Sequence, residues 1–330
     1  MSRSLCFLAL TLLIAGPAFA DGVPADIPAG MGPLPGVVPA PADNPASTRK
    51  IELGKQLYFD PALSKSGNVS CNSCHNLANG GVDNQRFSIG HQWQRGGRNA
   101  PTVLNAAFWS SQFWDGRAAQ LEDQAKGPPM NPLEMADDTA EQLIARLKDA
   151  GYEPLFSEVF GENALTYDNM AKAIAAFERT LITPDAPFDL YARGEGKISA
   201  AAKRGMYKVE ELGCTGCHAG PLFTDNSFQR FDYGTDVGRK AVTGNAEDDH
   251  LFRVQSWRNI ALTAPYFHDG SIATLNQAVR VMAKKQLDAD LSDKDASDIV
   301  AFLNTLTGKQ PRVTYPLLPR PSGKALDFRD

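Results

Sequence analysis

Apolar residues recur at helical rather than strand spacing along most of this chain. Ile51, Leu53, Leu57 and Tyr58 begin such a run just after Ser47. The spacing predicts helices over 139–149 and 167–181, the second with Met170, Ile174, Phe177 and Leu181 on one face. A further helix is predicted over 292–307, where Ser292 and Asp295 mark the start, Ile299, Phe302, Leu303 and Leu306 form the stripe, and Gly308 ends it. No stretch alternates apolar and polar residues with a sustained period of two. The expected fold class is mainly α with long loops.

The pattern breaks down before Ser47. Residues 1–20 carry Arg3, an apolar run from Leu5 to Ala15 and the closing triplet Ala18-Phe19-Ala20, the layout of a cleaved signal peptide. Export to the periplasm is the expectation. Residues 21–46 are rich in Pro, Gly and Ala and read as a weakly ordered leader, with order beginning near Ser47. No later apolar run is long enough to span a bilayer, so membrane insertion is not expected. A net charge of −5 and the lack of a Lys/Arg run argue against a nucleic acid partner.

Cysteine placement changes the picture. Beyond residue 20 the cysteines are Cys71, Cys74, Cys214 and Cys217, all inside two CxxCH units 143 residues apart, CNSCH and CTGCH. An exported protein ordinarily spends cysteines on disulfides, and none is left over for one. CxxCH attaches haem, with both thiols bonded to the vinyl groups and the His as axial iron ligand. A redox dithiol does not require a His after both pairs, and a zinc site requires four converging ligands. Two c-type haems follow, with His75 and His218 as proximal ligands.

The repeat extends past the cysteines. Asn99-Ala-Pro-Thr-Val-Leu-Asn and Phe113-Trp-Asp-Gly-Arg follow the first unit; Arg258-Asn-Ile-Ala-Leu-Thr-Ala-Pro and Phe267-His-Asp-Gly-Ser follow the second. Trp114 thus takes the place of His268. Two cytochrome c-like domains are expected, 47–185 and 186–330, each carrying one haem. A swapped residue at an equivalent position suggests divided labour.

Distal ligands decide that division. Met282 is the only methionine after His218 and the candidate thioether ligand, which raises a haem potential. His268 and His250 compete, the first read as a supporting residue and the second as a solvated loop residue. For the first haem, His91 stands in a glycine-flanked loop and is the candidate for a ligand that can leave; Met130 and Met135 are its rivals. Glu134 lies among Pro, Met and Leu, where apolar surroundings raise a carboxyl pKa. It is either a helix-start carboxylate or a proton shuttle between the oxygens of a bound peroxide. Gln124 is a candidate hydrogen-bond donor to that oxygen. Trp114 is either core or a bridge for electrons.

At this point the chain resembles the bacterial dihaem cytochrome c peroxidases from about Ile51 to Gly308. ELGKQLYFDPALS, both CxxCH units, RNAPTVLNAAF, QFWDGRA, EDQAKGP, NPLEM, FRVQSWRNIALTAPYFHDGS and Met282-Ala-Lys-Lys-Gln286 carry the resemblance. It implies that His91 is the displaceable ligand of a low-potential peroxidatic haem and Met282 the distal ligand of a high-potential, electron-accepting one. By the same resemblance Trp114 is the inter-haem tryptophan, Phe113 its distal-pocket neighbour, and Gln124 and Glu134 the polar pair. A calcium ion held by Asn99, Thr263 and Pro265 is implied, as is a homodimer. The implied reaction reduces hydrogen peroxide with electrons from a small periplasmic cytochrome c or cupredoxin. Relatives that oxidise a protein-bound tryptophan carry Tyr where Met282 stands here, so the peroxidase branch is expected. A dihaem electron carrier without substrate chemistry is the alternative from another class.

Overall fold

The computed structural model describes residues 26–319. The expected signal peptide lies outside that range. The described chain is mainly helical, as the apolar spacing predicts.

Helix α1 spans Thr48–Phe59, and its start is fixed by Ser47, whose Oγ accepts the Lys50 N–H at 3.2 Å. Helices α2 (Ala140–Asp149), α3 (Glu153–Phe160) and α4 (Tyr167–Glu178) follow. Thr139 and Thr166 cap α2 and α4 in the same way as Ser47 caps α1. Helix α4 crosses α1 at Gly54, where a Cβ would lie 1.9 Å from the Ala173 carbonyl oxygen. Only glycine lets the two backbones meet there. The crossing buries Leu53, Leu57, Met170 and Ile174 against Leu143 and Leu147 of α2 and Phe156 of α3.

The second half repeats the device. Helix α5 (Ala200–Glu211) crosses a later helix at Gly205, where a Cβ would lie 1.9 Å from the Asp298 oxygen. Between them in sequence lies α6, Leu275–Leu287; the later helix is α7, Asp293–Asn304, capped by Ser292. Its core holds Met206, Val209, Ile299, Phe302 and Leu303 with Phe188 and Phe223. Ala173 and Asp298 therefore occupy one position of the repeat, 125 residues apart, and so do Phe177 and Phe302. Helices α4 and α7 each end three residues before the predicted boundary, but Leu181 and Leu306 stay fully buried.

A seam joins the halves. Asn105 and Asn259 share a left-handed backbone, φ 63° and 61°, and donate their N–H groups to Leu181 O and Leu306 O. Both side chains donate to Thr183 Oγ1 at 2.8 Å. The strands among the described residues are β1 (Phe228–Arg230) and β2 (Leu251–Arg253), antiparallel with Gln229 opposite Phe252. Strands of three residues are too short to leave a period-two signal.

The leader corrects the sequence expectation. Residues 26–46 form a strap across both halves rather than a loose segment. Met31 packs into the second core and bridges to Gly220. Arg258 donates to Gly32 O at 2.9 Å, and Leu34 N–H donates to Asp189 Oδ1 at 3.1 Å. At the far end Asn44 is buried, donating to Glu122 Oε1 at 2.7 Å and accepting from Lys50 Nζ at 2.9 Å. Its order comes from bonds to other elements, which local composition does not encode. The tail returns likewise: Tyr315 packs edge-on against Phe59 at 4.9 Å.

Candidate functional site

Each CxxCH unit opens onto a cavity, of about 440 Å³ beside His75 and about 450 Å³ beside His218. Both fall within the range for cofactor sites, about 300–1,000 Å³. In the first unit one helical turn, Cys71–Cys74, ends with the His75 N–H on Cys71 O at 2.9 Å. His75 Nδ1 lies 3.0 Å from Pro101 O, and His218 Nδ1 lies 3.1 Å from Phe223 O. A carbonyl only accepts, so each Nδ1 carries the proton and each Nε2 is left bare, the tautomer of a metal-binding imidazole. Burial depresses both pKa values, His218 to about 4, which keeps the rings neutral. His218 also stacks on Trp257 at 4.4 Å.

The four cysteines are unpaired. Burial raises their thiol pKa values, those of Cys74 and Cys214 to about 11. No cluster of three His, Cys, Asp or Glu able to hold a metal occurs among the described residues, against the zinc alternative. Two free sulfurs, one oriented imidazole and a mostly apolar cavity at each unit fit a covalently attached haem.

The first cavity gathers Phe113, Trp114, Gln124 and Glu134 on its wall. Glu134 follows the turn Gly127–Met130 and accepts from Asn131 Nδ2 at 2.7 Å. Burial raises its pKa, while Asn131 and the Arg117 cation act in the opposite sense. Phe113 has a left-handed backbone, φ 69°, and its ring lies 3.4 Å from the Arg117 guanidinium carbon. Asp115 in turn holds Arg117 at 2.9 Å. Met130 and Met135 lie off this wall, with Met135 buried in the first core. His91 also lies off it: its N–H donates to Glu134 O at 2.8 Å and its Nδ1 is buried without a partner. The next residues, Gln92 and Trp93, have φ values of 51° and 63°, and Trp93 is 87% exposed. Two successive left-handed non-glycine residues mark a strained loop.

In the second cavity Met282, on α6, shares the wall with His218 and His268. His268 is buried, stacked on Phe252 at 4.2 Å, with Nε2 unpartnered. His250 lies apart from the cavity, 3.4 Å from Asp249. Among the described residues no carboxylate lines this cavity.

Trp114 lines both cavities, its Nε1 donating to Asn99 O at 2.9 Å and its ring 6.3 Å from His268. Phe113 and Phe267 share φ values of 69° and 70°, and paired bridges, Gln112–Ala118 and Tyr266–Ile272, flank them. Trp114 and His268 are therefore equivalent in structure as in sequence. Asn99, Thr263 and Pro265 all line the second cavity, and Asn99 Nδ2 donates to Gln85 O at 2.8 Å.

Sequence reasoning missed Arg117, Glu178 and Trp109. Arg117 was legible in the repeat itself, because FWDGR carries it where FHDGS has Ser271. Glu178, an acid beside the apolar stripe of α4, lines the first cavity. Trp109 lines both and left no signal beyond an apolar side chain.

A family model described as di-haem cytochrome c peroxidase matches residues 48–197. A cytochrome c551 peroxidase of Pseudomonas aeruginosa is 44% identical over 94% of each chain. The chain belongs to the di-haem cytochrome c peroxidase family. Another relative so named, from Nitrosomonas europaea, is 46% identical over 86% of this chain and 87% of its own. Among solved structures, a MauG-like protein associated with microbial copper homeostasis is similar at a TM-score of 0.74 and 29% identity, over 87% of this chain and 95% of that one. Membership of a di-haem family agrees with two cavities, each beside a CxxCH unit.

Proposed function

We propose that this di-haem peroxidase reduces hydrogen peroxide to water at the first cavity, with electrons that enter from a small cytochrome c or cupredoxin at the second. One observation carries the division: Glu134 and Gln124 stand in the first cavity, and among the described residues no carboxylate lines the second. An electron carrier has no use for an acid–base group beside its iron; a peroxide-cleaving site does.

In this reading Cys71 and Cys74 hold one haem and Cys214 and Cys217 the other, in domains 47–185 and 186–330. When bound, the haems store and deliver the electrons. His75 and His218 would each offer an imidazole nitrogen to a haem iron, and Met282 would offer its thioether sulfur to the iron in the second cavity. His91 is the removable ligand of the first, a role supported by the strained Gln92–Trp93 pair beside it. Glu134 takes the proton from one peroxide oxygen and returns it to the other, and its raised pKa suits both directions. Gln124 donates to the same oxygen, and Phe113, pinned under Arg117, closes the wall against water. Trp114 connects the cavities. Asn99 with the Thr263 and Pro265 carbonyls supplies hard oxygen ligands of the kind calcium takes. Export through residues 1–20 and homodimerisation complete the reading; among the described residues no helix is long and apolar enough to cross a membrane.

The test is Glu134→Gln in the holoenzyme. Peroxide turnover is expected to disappear while both haem spectra persist. Full activity in that variant would remove Glu134 from the mechanism.

A further inference from the structure

The two cavities differ at one buried position that the repeat makes directly comparable. Gly54 meets Ala173 and Gly205 meets Asp298 at the same 1.9 Å, which fixes the register between α4 and α7. The helix ends then align as Ala-Phe-Glu-Arg-Thr-Leu, 176–181, with Ala-Phe-Leu-Asn-Thr-Leu, 301–306. Ala, Phe, Thr and Leu are kept. Glu178 stands where the second half has Leu303. Glu178 lines the first cavity and Leu303 the second.

Glu178 is 5% exposed, and its carboxyl makes no hydrogen bond or salt bridge among the described residues. Neighbouring Arg179 is not available to it, because that guanidinium forks onto Glu122 at 2.7 and 2.9 Å. Tyr58, which donates to His75 O at 2.6 Å, and Cys71 are the other titratable groups around it. Burial pushes the Glu178 carboxyl up to about 8. Its ionised form is costly there unless a positive charge in the cavity compensates it. An oxidised haem does so: ferric iron in a doubly anionic porphyrin leaves a net positive charge, which vanishes on reduction. A nearby carboxylate therefore stabilises the oxidised form selectively, and a leucine does not.

We infer that Glu178 holds the first haem at the lower potential, and that Leu303 at the matching position leaves the second haem the easier one to reduce. The inference rests on the reading of the two cavities as haem sites of unequal potential. It adds a charge of the chain's own to the difference in axial ligands, acting in the same direction. Glu178 is a positioning residue in this account.

The test is spectroscopic redox titration of the purified holoenzyme, which reads each haem separately and needs no turnover. Glu178→Gln and Glu178→Leu are expected to raise the reduction equilibrium of the low-potential haem at least tenfold, about 59 mV for one electron. The high-potential haem should move by much less. Leu303→Glu is the reciprocal change and should lower the second potential. If that variant fails to fold, Glu178→Gln still decides, because it removes a buried acid and keeps its shape. An unchanged low potential in both Glu178 variants, or equal shifts at both haems, overturns the inference. A wild-type protein without two c-type haems of separate potential fails the underlying reading instead.

Discussion

His75 Nδ1 is spent on the Pro101 carbonyl, and that contact decides what the imidazole can do. With the proton fixed on Nδ1, Nε2 is free for iron, and the Phe223 carbonyl does the same for His218. The motif made these two residues legible because five adjacent positions encode the chemistry. The other cavity residues were less so, since they come from separate helices and loops. Glu134 and Gln124 reach the first cavity from segments whose meeting depends on the tertiary fold. Gln124→Leu removes one neutral donor and is expected to lower the peroxide kcat by about 10²-fold, as losing a preorganised donor does. Steady-state peroxide kinetics check it, and an unchanged kcat removes Gln124 from the reaction. At Trp114, substitution by Phe keeps the wall filled but loses the hydrogen bond to Asn99 O. Slower electron transfer between the haems, read by stopped-flow spectroscopy, is the expected result.

Among elements, the two crossings at Gly54 and Gly205 set the architecture. Each glycine faces a backbone carbonyl, which cannot rotate aside as a side chain can. Gly54→Ala or Gly205→Ala should therefore destabilise by about 1–3 kcal/mol, the usual range for overpacking, and a lowered urea midpoint measures it. Helices α1, α2, α4 and α7 were legible because each buries one stripe and starts at a Ser or Thr cap. The strap 26–46 was not, because Met31, Leu34 and Asn44 each take a partner more than 70 residues away. Hairpin β1–β2 was missed for its brevity, although it carries Phe252 to the face of His268.

For the whole molecule, the repeat gives two similar cavities, and the departures from it underlie the proposed division of tasks. Arg98 links the halves, bonding Asp115 at 2.6 Å in one and Asp236 at 2.5 Å in the other. Burial lowers the Arg98 pKa, but the two carboxylates more than offset it and hold it charged. Arg98→Met leaves buried Asp115 with Arg117 as its remaining partner, so the cost falls below the about 3–5 kcal/mol of a buried charge left without any partner. A clearly lowered unfolding midpoint is expected. That two haem sites share this chain was legible from sequence. Trp114 was expected from sequence as core or a bridge for electrons, and that its side chain lines both cavities came from the fold.

The central claim is that one cavity reduces peroxide and the other admits electrons. Its most direct test is hydrogen peroxide turnover by the holoenzyme with a reduced small cytochrome c as donor, before and after one-electron reduction of the enzyme. The account predicts sustained turnover in at least one of these states, with two donor electrons consumed per peroxide. No turnover in either state would contradict it.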